Sequence, residues 1–146
     1  MKISAKGRYG LVAMAHLAQN FNTGTPITII SISNKLGISK IYLEQVFSLL
    51  KRANLVASIK GSQGGYMLTR KPSNITVYDI LSSIEISLME PTVSESKFPE
   101  LNKAINLCVY EPLDKNIFDM LKSVNLEDIL NAVNNEMGTS SLMYFI

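Results

Sequence analysis

The stretch Ser39-Lys40-Ile41-Tyr42-Leu43-Glu44-Gln45-Val46-Phe47-Ser48-Leu49-Leu50 decides how this chain folds. Leu43, Val46, Phe47 and Leu50 fall on one helical stripe, which leaves Lys40, Ile41, Glu44, Gln45, Ser48 and Arg52 on the opposite side. Ser39 stands where it can cap the first turn. The preceding Leu36-Gly37-Ile38 reads as the tight corner of a helix-turn-helix, with Gly37 supplying the positive φ that such a corner needs. The spacing therefore predicts a DNA-recognition helix, with Ser39, Lys40, Ile41, Tyr42, Glu44, Gln45 and Ser48 as candidate major-groove residues.

Upstream, Thr28 is the expected cap of the first helix of that pair, entered through a brief extended segment at Ile27 and carrying Ile29, Ile32 and Leu36. Before it, Asn22 to Pro26 is punctuated as a loop. A helix is predicted from Ser4 to about Phe21, with Leu11, Met14, Ala15, Ala18 and Phe21 as its apolar face and His16 in a structural role. At its basic start, Lys6, Arg8 and Tyr9 are candidates for meeting DNA phosphates.

Downstream, Ala53-Asn54-Leu55 reads as a helix stop, with Asn54 tolerating a left-handed conformation. Two short strands, Val56 to Ile59 and Tyr66 to Thr69, flank the glycine-rich tip Lys60-Gly61-Ser62-Gln63-Gly64-Gly65. A hairpin directly after a helix-turn-helix is a wing. Lys51, Arg52 and Lys60 to Tyr66 complete the candidate wing and backbone contacts.

Charge divides the chain at the same place. Residues 1–71 hold ten Lys/Arg against a single carboxylate, Glu44, whereas residues 72–146 hold four Lys and eleven Asp/Glu. That asymmetry suits a polyanion-binding module, residues 1–72, followed by a part that stays off the polyanion, residues 73–146, the two packed as one compact protomer.

In the second part, Thr76 to Asp79 forms a capping-box variant that opens a helix with Val77, Ile80, Leu81 and Ile84 on its apolar face. A loop is expected from about Ile86 to Glu100, then a helix with Leu101, Ile105 and Val109, and a separate helix from 113 to 124. The apolar residues of the latter, Leu113, Ile117, Met120, Leu121 and Val124, are the expected dimer seam. Asn125 caps a last short helix with Leu126, Ile129, Leu130 and Val133. The fold class is thus mostly α with a small β-wing, a winged helix-turn-helix plus C-terminal dimerisation helices.

The lone Cys108 excludes an internal disulfide and a zinc framework and fits a reducing, cytoplasmic setting. The basic start before Leu11-Val12-Ala13-Met14-Ala15 is too interrupted for a secretion signal, and no run is long enough to span a bilayer. Nothing offers a nucleophile beside a base, and Gly61-x-x-Gly64-Gly65 lacks the Lys-Ser/Thr and the helix of a phosphate loop, so no enzyme is expected.

Taken together, Lys6-Gly7-Arg8-Tyr9-Gly10, Ser39-x-x-Tyr42-Leu43-Glu44-Gln45, Leu49-Leu50-Lys51-x-x-x-Leu55-Val56, Gly61-x-x-Gly64-Gly65-Tyr66-x-Leu68 and Asn125-Leu126-x-Asp128-Ile129-Leu130 resemble the Rrf-type family of bacterial winged-helix repressors, typified by IscR, NsrR and CymR. The resemblance covers nearly the whole chain. It implies a homodimer on double-stranded DNA at an imperfect palindrome, with Ser39, Ile41, Glu44 and Gln45 at base-reading positions and Lys60 to Gly65 at the wing tip. Ile41 and Lys60 depart from the polar residue and the arginine that relatives often carry there.

Cluster-binding relatives place three cysteines in the region of residues 90 to 108. This chain has Cys108 alone, with Glu111 where some relatives have a histidine ligand, so the expectation is no cofactor and the cluster-free, CymR-like branch. That branch implies sulfur or cysteine metabolism and a metabolic enzyme as a co-regulator. Cys108 reads first as a buried small hydrophobe and alternatively as a redox sensor. Rival functions are a cluster sensor with unusual ligands and a winged helix used for protein–protein contact.

Overall fold

The computed structural model describes residues 2–93 and 96–144. It comprises helices α1 (Ala5–Gln19), α2 (Ile29–Leu36) and α3 (Lys40–Arg52), strands β1 (Val56–Ile59) and β2 (Gly65–Leu68), then helices α4 (Val77–Ile84), α5 (Pro99–Ile105), α6 (Glu111–Ser123) and α7 (Leu126–Tyr144). The strands form an antiparallel hairpin pairing Val56 with Leu68 and Ile59 with Gly65. The second strand begins and ends one residue earlier than the alternation of Tyr66 to Thr69 predicts.

Capping explains where α1 to α4 and α7 start. Ser4, Thr28 and Ser39 each accept a hydrogen bond from a backbone N–H of the first turn, and Thr76 and Asp79 form a reciprocal capping box. Asn125 and Asp128 repeat that exchange at the start of α7, at 2.9 Å in both directions. Each cap is worth about 0.5–2 kcal/mol. The corner between α2 and α3 is made by Gly37 at φ 68°, and Asn54 takes φ 59° after α3.

The core is continuous across both parts of the chain. Met14, Ile32, Leu43, Val46, Phe47 and Leu50 are sealed together with Ile75, Ile80 and Leu126. At roughly 1.5–3 kcal/mol for each large apolar side chain, this burial is what fixes α3 in place. Val77 N–H donates to the Val124 carbonyl at 2.8 Å and Leu126 N–H to that of Ile75 at 3.0 Å, which pins the start of α7 beside the start of α4.

Four expectations need correction. The buried face of α1 is Gly7, Gly10, Ala13, Met14, Leu17 and Ala18, rotated from the predicted one, because two glycines mark a close helix approach that apolar spacing does not register. The helix also stops at Gln19, and Phe21 begins a short 3-10 turn. The helices expected around Leu101 and from 113 to 124 are one run from Pro99 to Ser123, joined by a π-helical segment at Asn106–Tyr110. Pro112 explains that segment: it has no N–H for the Cys108 carbonyl and its ring crowds that carbonyl, so the turn widens instead of breaking. Finally, α7 is long, with 19 residues, not short.

Candidate nucleic-acid interface

Helix α3 presents its two faces as its sequence divides them. Leu43, Val46, Phe47 and Leu50 are fully buried, whereas Ser39, Lys40, Glu44, Gln45 and Ser48 are exposed. Ile41 is 72% exposed, a large apolar residue that folding leaves in water. Tyr42 is half-buried, and its ring meets that of Tyr9 edge-on at 5.2 Å, which connects the recognition helix to the start of α1.

The wing is anchored at its root and open at its tip. Lys60, Gly61, Ser62 and Gln63 are exposed, while Gly64 and Gly65 are half-buried. Tyr66 N–H donates to the Ile27 carbonyl at 2.7 Å and Ile27 N–H returns the bond at 3.0 Å, so Ile27 adds a one-residue antiparallel bridge beside β2. Gly65 is needed for this contact: at φ 151°, a Cβ would lie 2.5 Å from the Ile27 carbonyl carbon. The Tyr66 ring packs on Phe47 at 4.6 Å between centroids, so this candidate wing contact is turned toward the core. Lys51 donates to the Ser58 hydroxyl at 2.8 Å, which links the end of the recognition helix to the wing, and Arg52 is exposed beside it.

At the start of α1, Arg8 and Tyr9 are exposed and Lys6 is half-buried. That start is already tied to α4. The Glu85 carboxylate accepts from the backbone N–H and the hydroxyl of Ser4, at 2.7 and 2.8 Å. Sequence reasoning gave Glu85 no role, since a single acid 81 residues from its partner has no local signature.

The expected dimer residues divide into two groups. Leu121 is 5% exposed and packs with Val77 and Leu81, joined by half-buried Ile117 and Val124, so these three stabilise the protomer itself. Tyr78 against Phe118, edge-on at 4.9 Å, extends that contact. Leu113 and Met120 remain 52% and 57% exposed, in line with exposed Leu101, Ile105 and Val109. Cys108 is exposed, not buried, because the helix segment that carries it also leaves Leu101, Ile105, Leu107 and Val109 exposed.

Among the described residues no three His, Cys, Asp or Glu side chains gather as a metal-binding group, and the chain has a single thiol, Cys108, where a thiolate-held cluster draws on several. No helix among them is long and apolar enough to cross a membrane.

The family model described as "Rrf2: Iron-dependent Transcriptional regulator" matches residues 3–132. The chain is 38% identical to the HTH-type transcriptional regulator CymR of Bacillus subtilis, with all of both chains aligned. The solved structure of CymR, the global cysteine regulator of B. subtilis, superposes with a TM-score of 0.77 at 36% identity, covering 90% of this chain and 98% of that one. IscR of T. potens superposes at 0.73 with 38% identity, covering 91% and 88%. A polar-faced recognition helix, an anchored wing and this match along nearly the entire chain agree: the protein belongs to the Rrf2 family of winged-helix, DNA-binding transcriptional regulators.

Proposed function

We propose that the protein is a cytoplasmic, homodimeric repressor of genes of sulfur or cysteine metabolism, that it reads an imperfect palindrome, and that it works without an iron–sulfur cluster. The observation that carries base reading is the exposed row Ser39, Ile41, Glu44, Gln45 and Ser48 on a helix whose other face is sealed in the core. In this reading Lys40, Lys51, Arg52, Lys6, Arg8 and Tyr9 hold phosphates, Gln45 and Glu44 address base edges, and Ile41 takes a thymine methyl group. The wing tip enters the minor groove with Lys60, a point charge that selects groove width less strictly than a guanidinium does.

A second copy of the chain is the occupant that the exposed Leu101, Ile105, Val109, Leu113 and Met120 call for, and a two-fold pair would present two recognition helices to the two halves of a palindrome. The sulfur assignment rests on the 38% identity to CymR. A metabolic enzyme acting as co-regulator belongs to the same reading.

Selection of duplexes from a random pool tests this. An enriched palindrome, with affinity falling steeply as salt rises, supports the repressor reading. A pool with no enriched motif would favour a winged helix that uses its basic face on an acidic protein.

A further inference from the structure

Glu85 follows the last residue of α4 and opens the segment Ile86–Met89 that leads toward the long helix formed by the continuous run Pro99–Ser123. Its half-buried carboxylate nevertheless reaches the other end of the chain. One oxygen accepts from both Ser4 N–H and Ser4 Oγ–H, and Ser4 Oγ in turn accepts from Gly7 N–H at 3.1 Å. Two donors of Ser4 are thereby satisfied by one acid from the second half of the chain, and the hydroxyl that this acid orients caps the Gly7 N–H. The backbone is shaped for it: a Cβ on Gly7 would sit 2.0 Å from Glu85 Oε1, and one on Gly10 would sit 2.2 Å from Ile84 Cδ1. Within the same turns, Arg8 and Tyr9 are exposed, Lys6 is half-buried, and Tyr9 leans on Tyr42 of the recognition helix.

We propose that Glu85 is a positioning residue for DNA binding. It fixes the start of α1 so that Lys6, Arg8 and Tyr9 meet the phosphate backbone in register with α3. It also ties that register to the segment between α4 and the long helix, so a displacement there reaches the DNA-facing side. The proposal rests on the DNA-binding reading. It opposes the plain electrostatic expectation, since removing an acid from a surface that approaches a polyanion should tighten binding.

That difference in sign makes the test. Full-length Glu85→Ala, Glu85→Gln and wild-type protein are titrated with the selected palindrome over a range of salt, well below their melting temperatures. Glu85→Ala is expected to bind about tenfold more weakly, with the slope of log K against log salt shallower by about one phosphate contact, roughly 0.9. Glu85→Gln, whose amide oxygen accepts the same two bonds, is expected to restore both to within about threefold of wild type. A purely structural role would lower the melting temperature and leave the salt slope of the folded protein unchanged. Glu85→Ala binding as tightly as wild type, or tighter, overturns the proposal. Should Glu85→Ala not fold, Ser4→Gly decides: it removes the relaying hydroxyl at a capping cost of only a few tenths of a kcal/mol. About threefold weaker operator binding by Ser4→Gly supports the link, and unchanged binding overturns it. Wild-type protein that binds no duplex would overturn the DNA-binding reading itself.

Discussion

The Lys40 ammonium stands 3.7 Å from the Glu44 carboxylate one turn further along the recognition helix, with about half of each side chain in water. Such a pair contributes only ~0.2–0.5 kcal/mol and gives no sufficient reason for the one acid in the basic half of the chain to sit on the face that meets a polyanion. A hydrogen bond accepted from a cytosine amino group does, at roughly 1–3 kcal/mol of discrimination. Glu44→Ala is therefore expected to flatten the preference at one base pair of each half-site while non-specific affinity holds or rises. Binding to a panel of single-base operator variants checks this, and an unchanged preference sinks it.

Phe47 is fully buried and packs on Tyr66 at 4.6 Å, so it joins the recognition helix to the root of the wing. Phe47→Ala removes an aromatic ring from a sealed core and should cost about 3–5 kcal/mol. Denaturant unfolding followed by circular dichroism measures it. A loss under about 1 kcal/mol would mean that the site collapses around the truncation.

How far these features are legible in the sequence depends on how local their causes are. The stripe Leu43, Val46, Phe47 and Leu50, the caps at Thr28, Ser39 and Thr76, the left-handed Gly37 and Asn54, and the hairpin are all written within a few residues of where they act. The buried face of α1 is not legible locally, because Gly7 and Gly10 owe their identity to Glu85 and Ile84, far along the chain. The apolar spacing predicts two separate helices, up to Val109 and from 113, and does not show that Pro112, which ordinarily would end a helix, here widens one. The burial of Leu121 and the exposure of Cys108 depend on which side of the long helix meets α4, and a repeating apolar pattern leaves that side undecided.

Gly65 tests the wing root. Its φ of 151° and the closeness of the Ile27 backbone leave no room for a methyl group, and the obstacle is main chain, not a side chain that can swing away. Gly65→Ala is expected to break the paired hydrogen bonds between Ile27 and Tyr66 and to lower stability by about 1–3 kcal/mol. Faster amide hydrogen exchange at Tyr66, with the amides of α3 still protected, would locate the damage. Unaltered protection at Tyr66 would show that the hairpin absorbs the methyl group elsewhere.

The two sets of apolar residues on the long helix predict two separable failures. Leu121 is sealed against Val77 and Leu81, so Leu121→Ala should destabilise the protomer by about 2–5 kcal/mol. Leu113 and Met120 lose much less inside the protomer when made polar, because more than half of each already lies in water. If a second copy covers them, Leu113→Lys with Met120→Lys places four like charges in one two-fold seam, and the charges lose their hydration without partners. Sedimentation should then show monomer where wild type is dimeric, with the helical circular dichroism signal retained. Operator affinity should fall by far more than the loss of two apolar contacts explains, because two half-sites on one duplex bind a linked pair with an effective concentration that separate monomers lack. A double variant that stays dimeric would place the seam on another face of the molecule.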